Sequence, residues 1–460
     1  MDRRTFIRRT GETALGAAVV ALGGTRPRAA AETLTVAAVG DCILTRKVSH
    51  LRHERFLQVV KLLRDADCAY GNCEMTFVDA QKAEPTAKGS DMNLVCEPWG
   101  TDELAWMGFD LVGTANNHSM DYGREGLVST IENLDRVGIG HTGTGLTLAL
   151  AARPAYVDTP PGRVALVNCA STFPAWSLAE AARPDSNGRP GLNPLRVERT
   201  YRVERAAFEE LKQLQATLYP RPPQPPGAPA PPPPPPDTLT FMGNRFVVGS
   251  PPDVVSTGNA ADVKRITDQV AVARRNAHIV LVSIHAHEQY RNREVPDTFL
   301  QPFARACIDA GADAFLGAGP HLLRGIEIYK GKPICYSLGN FFFEYATVKQ
   351  IPAEVYEANR LDPNTLDPSV SYDTFAFPRD PVYWESVVPL ITYRDGRVAE
   401  LTLHPVVLDQ QAPRYARGLP MAATADEAKT ILDRMTRLSA TYGTTITAQN
   451  GVGVVQVPAT

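Results

Sequence analysis

An α/β fold is predicted for this 460-residue chain by two observations. Apolar, strand-like runs alternate with amphipathic helical stretches along most of the sequence, the pattern that stacks helices on a largely parallel sheet. Three of those runs also pass directly into His, Asn or acidic residues: GTANNHSMDYG (113–123), SIHAHEQY (283–290) and GPHLLRGIEIYKGKPICYSLGNFFF (319–343). The loops at the carboxyl ends of parallel strands converge on one crevice, so this is where such folds keep their chemistry.

In chain order, LTVAAVGD (34–41) reads as a strand ending in Asp41, followed by a helix from about His53 to Arg64 and a second strand exit at CAYGNCE (68–74). FDLVGTANNH (109–118) is the third. The helix predicted from about Gly123 to Val137 places Leu127, Ile131 and Leu134 on one face. RVALVNCAS, IVLVSIHA, AFLGAG and PICYSLGN are further strands, and the helix before AFLGAG is expected to bury Phe299, Phe303, Ala306 and Ala310. Beyond Phe343 the pattern turns irregular, until VPLITYRDGRVAELTLHPVVL (388–408) gives two alternating strands joined through Arg394, Asp395 and Gly396, a hairpin signal.

Two segments stand outside this alternation. YPRPPQPPGAPAPPPPPPD (219–237) can pack as neither helix nor sheet, because proline fixes φ and lacks the amide donor. It reads as an extended spacer inside an insertion of about residues 174–260. At the amino terminus, Arg3, Arg4 and Phe6 precede an apolar stretch from Ala14 to Leu22 and then Ala29, Ala30 and Ala31. That order describes a twin-arginine export signal cleaved near Ala31, with an apolar run too short for a permanent span. The expected organisation is therefore a signal peptide at 1–31, a catalytic-type domain at 32–410 and a C-terminal extension at 411–460. The destination is periplasmic or extracellular.

Hydrophobic residues at 44% and charged residues at 21% are ordinary for a folded domain, and 47 basic against 50 acidic residues offer no basic surface for nucleic acid. No later apolar run is long enough to anchor the mature chain. Seven cysteines without CxxC spacing read mostly as small buried apolar residues, with room for one or two disulfides outside the cytoplasm.

The site chemistry follows from residue types. A carboxylate at the end of a buried strand, as at Asp41, costs several kcal/mol unless paired or bound to a cation. His285 and His287 follow their strand directly and share one site if the strand breaks into loop there; His321 after Gly-Pro is similar. Carboxylate, amide oxygen and imidazole together suit Mn, Fe or Zn. Glu288 reads as solvated or supporting, Asn340 equally as a turn cap or a substrate contact, and Glu327 lies in a strand entering the crevice. His50, His53, His141, His278 and His404 have no partner pattern and read as structural or surface residues.

VAAVGD, GNCE, ANNHSMDYG, HAHEQY and GPH…GIEIYKGKPICYSLGNFFF, in this order from about Leu34 to Val407, resemble the CapA family of capsule and poly-γ-glutamate biosynthesis proteins, related to calcineurin-like metallophosphoesterases. The resemblance implies a four-layer α/β/β/α sandwich with a centre of one or two divalent ions at the strand ends. Its ligands would be Asp41, Asn72, Glu74, Asn117, His285, His287 and His321. The catalytic residues would be His118, as the acid, with Asn116 and Asp121. Three departures accompany the match. Asp41 is followed by Cys42 and Ile43 where Asp-x-His is usual, Asn72 replaces a bridging acid, and the late Gly-His-x-Pro-His-like element reads Gly317, Ala318, Gly319, Pro320, His321. His287 stands where many relatives have glycine and is expected to make up the loss. The implied activity is hydrolysis of a phosphoester or amide bond in an anionic or cell-envelope polymer; the alternative is a non-catalytic assembly or export factor for such a polymer.

Overall fold

The computed structural model describes residues 33–87, 92–220, 235–345, 348, 351–368, 370–371 and 380–458. The expected signal peptide at 1–31 and residues 221–234 of the proline-rich segment lie outside the described residues. Six strands carry site residues or lead directly into them: β1 (Thr33–Ile43), β2 (Cys68–Asn72), β3 (Leu111–Gly113), β4 (Ile279–His285), β5 (Ala314–Ala318) and β6 (Asn340–Phe343).

Two sheets pack face to face. The larger runs from a parallel core of β1, β2 and β3 to the antiparallel hairpin Glu385–Arg394/Arg397–Val407, whose first strand pairs with the start of β1. The hairpin turns through Asp395 and Gly396, both at positive φ, as the Arg-Asp-Gly signal predicts. The smaller sheet has parallel β4 and β5 at its centre, with Gly162–Ala170 on the other side of β4.

Alternation along each strand then builds four layers. Leu34, Val36, Ala38 and Tyr70 of the larger sheet meet Val164, Leu166, Leu281 and Leu316 of the smaller in one buried cluster. The opposite face of the larger sheet, with Ala37, Val39 and Ala69, is covered by Phe56, Val59, Val60 and Leu63 of α1 (Glu54–Asp65). The outer face of the smaller sheet, with Val167, Val280, Val282 and Phe315, is covered by Ile266 and Val270 of α2 (Ala260–Asn276) and by Phe303 and Cys307 of α3 (Leu300–Asp309). Strands buried on both faces explain the near-continuous apolar runs in the sequence. The architecture is a four-layer α/β/β/α sandwich.

Details of three elements differ from the expectation. Around α3, Phe299 and Phe303 are buried as expected, together with Leu300, Ala304, Cys307 and Ile308, while Ala306 and Ala310 are only half-buried. In the helix Gly123–Val137, Thr130 rather than Ile131 joins Leu127 and Leu134 in the interior, because its hydroxyl donates to Gly126 O and accepts from Phe77 N. PICYSLGN is not one strand: Lys332–Cys335 belongs to the smaller sheet, and the chain crosses so that β6 pairs with β1 in the larger.

The 174–260 insertion contains a four-stranded sheet (Val197–Val203, Thr238–Phe241, Asn244–Val248, Asp253–Gly258) and the helix Arg205–Leu218, with a small core of Phe208, Leu239 and Phe241. Residues 411–460 are continuous with the sandwich. Helix α4 (Ala425–Ala440), started by a Thr424/Glu427 capping box, sends Ile431, Leu432 and Met435 into the inter-sheet core. Strands Ile446–Gln449 and Val452–Val455 extend the larger sheet. All seven cysteines are buried free thiols, so the expected room for disulfides is not used. Among the described residues no helix is long and apolar enough to cross a membrane.

Candidate metal centre

The strand ends bring one cluster together. Asp41 on β1 lies opposite Asn72 of β2 and Asn340 of β6, and the pairing register slips on both sides of it. Such irregularities bend a strand and re-aim its side chain. On the smaller sheet, His285 closes β4 opposite Ala318 of β5, and His287 follows in loop, which lets two histidines spaced by two face one site. Their Nε2 atoms are 2.8 Å apart.

Glu74 is the hub. Its Oε1 lies 3.6 Å from Nε2 of His285, 3.8 Å from Nε2 of His321 and 3.8 Å from Nε2 of His118. These separations exceed hydrogen-bond length, yet two ligands each about 2.1 Å from a shared tetrahedral ion stand about 3.4 Å apart. Two ligand groups result, Asp41–Glu74–His285 and Glu74–His287–His321, each with its donor atoms within 4.8 Å of one another. Glu74 is common to both.

The donor set fits a divalent ion on a further observation. Asn72 Nδ2 donates to Asp41 Oδ1 (2.7 Å) and lies 3.0 Å from His285 Nδ1, while its buried Oδ1 has no hydrogen-bond partner among the described residues. A buried amide oxygen left unpaired is costly, and coordination is one way to satisfy it. His321 is held at φ 60 with Nδ1 2.8 Å from Asn340 Oδ1, a partner that leaves Nε2 for an ion.

Electrostatics agree. Burial pushes the His285 imidazole below its ordinary value despite Asp41 beside it, so the neutral, ligating form prevails. Burial also pushes the Asp41 carboxyl up, but His285 and His321 outweigh that and hold it well below the usual carboxylate range. Burial raises the thiols that flank the ligands, Cys42 strongly and Cys73 to about 12, and keeps both protonated.

The loop after β3 brings in His118. Its Nδ1 donates to Asp121 Oδ2 (2.7 Å), and that carboxylate also accepts from Leu94 N (2.6 Å). Asn116 donates to Cys73 O and accepts from His118 N, so both sides of its amide serve the loop. Asn116 and Asp121, expected in the catalytic set, stand on either side of His118 in this loop: the first bonds its backbone and the second its imidazole. Asn117 is half-buried beside His118 with a buried Oδ1.

Other expectations separate from the cluster. Glu327 faces away, tied to Gln301, Arg305 and Tyr336. Glu288 accepts from Ser171 and Thr172 and so joins two loops behind His287. His141 pairs with Asp135, and His278 accepts from Arg163 N. Asn340 resolves as a support for His321. Two contributors were not singled out in the sequence: Gly319, whose N–H donates to Asp41 Oδ2 (3.0 Å), and Thr172, whose hydroxyl accepts from His287 N. The Gly-Pro before His321 was the one available signal, marking a special backbone.

The chain is similar to known proteins along most of its length. A profile described as bacterial capsule synthesis protein PGA_cap matches residues 35–345. The uncharacterized protein y4sH of Sinorhizobium fredii is 35% identical over 437 residues, 92% of this chain and 93% of its own. The capsule biosynthesis protein CapA of Bacillus anthracis is 24% identical over 318 residues, 68% of this chain and 60% of its own. Among solved structures, a hypothetical protein from Thermus thermophilus aligns over 81% of this chain and 98% of its own at 12% identity, with a TM-score of 0.38.

Proposed function

We propose that this chain, which belongs to the bacterial capsule synthesis protein PGA_cap family, is an exported metal-dependent hydrolase of a phosphoester or amide bond in an anionic cell-envelope polymer or its precursor. The observation that carries the reading is the convergence of three imidazole Nε2 atoms on one buried oxygen of Glu74.

Asp41, Asn72, Glu74, His285, His287 and His321 would hold one or two ions of Mn, Fe or Zn, with Asn117 contributing from its loop. An ion bound there supplies Lewis-acid polarisation and a more acidic water. The chain's own part is proton transfer and orientation. Asp121 would fix the ring plane and tautomer of His118 through its Nδ1, so that Nε2 faces the leaving group.

The full chain, loaded in turn with each ion, is to be assayed on model phosphodiesters and γ-glutamyl peptides. Turnover abolished by a chelator and restored by metal is expected; inactivity of every metal-loaded form on the whole panel would reject hydrolysis. A second reading, a non-catalytic assembly factor, is favoured by Asn72 standing in place of an acid. It predicts full polymer production in cells carrying Asp41→Ala and His118→Ala. Export rests on Arg3 and Arg4: replacing both by Lys should strand the precursor in the cytoplasm, and normal processing of that variant would remove this element.

A further inference from the structure

Among the described residues, the largest fully buried side chain is a cation that the site described above does not use. Arg324 is 0% exposed, and burial lowers its pKa to about 10 against the attraction of Glu288, Tyr442 and Asp297. Nε donates to the carbonyl of Arg293 (3.1 Å) and Nη2 to the carbonyl of His287 (3.5 Å). Nη1 has no hydrogen-bond partner among the described residues. Enclosing a guanidinium with one nitrogen unpaired costs several kcal/mol, and an apolar side chain of similar volume would be cheaper for packing alone.

What the guanidinium holds is the loop that leaves β4. His287 and Arg293 both lie in that loop, six residues apart, and both carbonyls are pulled onto one rigid fork. Thr172 also accepts from His287 N and, with Ser171, donates to Glu288; further along, the segment is tied nearer solvent by Arg293 with Asp380, at side-chain exposures of 41% and 39%, and by Glu294 with Arg434 and Arg437. Arg324 stands three residues after His321, with its own N–H donated to Ser337 O. One short segment therefore supplies a ligand candidate at its start and the anchor of the facing ligand at its end.

We propose that Arg324 is a positioning residue that fixes His287 as a ligand of the Glu74–His287–His321 group. The inference rests on the metal-centre reading above and adds a selective consequence. His287 belongs to one of the two ligand groups, so loss of Arg324 should weaken one binding step and spare the group formed by Asp41, Glu74 and His285. Gln at 324 is neutral and too short to span both carbonyls. Lys keeps the charge but brings a single ammonium, which can serve one of them.

The test titrates the full chain and its Arg324→Gln, Arg324→Lys and His287→Ala variants with Mn²⁺ and Zn²⁺. Bound equivalents are counted after dialysis, and the visible spectrum is recorded after Co²⁺ loading. Arg324→Gln should weaken the binding step that His287→Ala abolishes, by about 10- to 100-fold, the usual effect of removing an outer support of a metal ligand. Its Co²⁺ spectrum should shift toward that of His287→Ala, and Arg324→Lys should fall between wild type and Gln. Wild-type binding by Arg324→Gln beside impaired His287→Ala, or equal weakening of every step, would overturn the proposal, as would a His287→Ala protein with unchanged binding. Should the Gln variant not fold, Arg324→Lys decides alone: unweakened binding overturns the proposal, and selective weakening with an unfolding midpoint near wild type supports it. A wild-type chain that takes up no ion refutes the metal-centre reading itself, an outcome separate from failure of the Arg324 assignment.

Discussion

Replacing Glu74 by Gln tests the centre most directly, because the change keeps shape and volume and removes one charge. Glu74 belongs to both ligand groups, so the variant should lose every ion. An ion present at a hundredfold excess over its Kd stabilises the native state by about 2.7 kcal/mol. Unfolding entropy near 2.1 cal/mol/K per residue gives roughly 0.9 kcal/mol/K for the folded unit Thr33–Thr460. One ion should therefore raise the wild-type midpoint by about 3 °C and two ions by about 6 °C, whereas Glu74→Gln should show no metal-dependent shift. The metal-free comparison runs the other way. A carboxylate buried at 0% exposure carries a desolvation cost that a neutral amide largely avoids, so the apo variant should unfold at or above the apo wild type. Calorimetry with and without chelator, together with metal analysis, gives both numbers. A variant that keeps the full metal shift, or whose apo form unfolds well below wild type, would refute the assignment of Glu74 as a shared ligand.

His118→Ala should lower kcat by about 10²- to 10⁴-fold on a turned-over substrate while leaving metal content near wild type, and unaltered turnover would remove the acid role. Gly319→Ala should cost about 1–3 kcal/mol, since Gly319 sits at φ 113 and an added Cβ would lie 2.8 Å from Ala286 N; an unchanged midpoint would count against strain there. His141 tests the pH response away from the centre. Burial lowers its pKa despite Asp135, so at pH above about 6.5 it is neutral in both states and contributes nothing. On acidification below that value the unfolded chain takes up the proton first and stability falls until the folded pKa is passed. His141→Gln should make the midpoint fall less steeply as the pH drops below about 6.5, and an identical slope would show that this histidine does not carry the effect.

Much of this arrangement is legible in the sequence because the strands are buried on both faces. Continuous apolar runs ending in Asp41, Asn72, His118 and His285 announce both the parallel sheets and the rim that carries ligands. What is hidden depends on contacts between distant segments. The crossing of YSLGNFFF from one sheet to the other is invisible, since Lys332–Cys335 and Asn340–Phe343 are equally apolar and the break at Ser337–Gly339 is short. The partner of His321 Nδ1 is set by that crossing, so Asn340 could be read only as a cap or a contact. Asn116 and Asn117 look alike in sequence; the turn of the loop gives the first to Cys73 O and His118 N. Arg324 gave no signal, because an arginine between Leu and Gly ahead of a strand ordinarily reaches solvent.

The two sheets contribute different chemistry to the centre. The larger supplies the oxygen donors Asp41, Asn72 and Glu74, and the smaller, through the loops after β4 and β5, supplies the nitrogens of His285, His287 and His321. Direct ties between the layers at this end include Gly319 N–H to Asp41, Asn72 against His285, and the contacts of Asp41 and Glu74 with His285 and His321. Deeper down, the same layers are held by apolar packing from Val36 to Leu316. An ion gripped by both donor sets would replace that packing where the strands end and the apolar side chains run out. It would couple binding to the relative position of the sheets, so a substitution that shifts one sheet against the other should alter metal affinity without touching a ligand. The bulges at Asp41 belong to this geometry: a regular strand would keep the carboxylate in the row of Val39 and Ala37, facing α1 rather than the histidines.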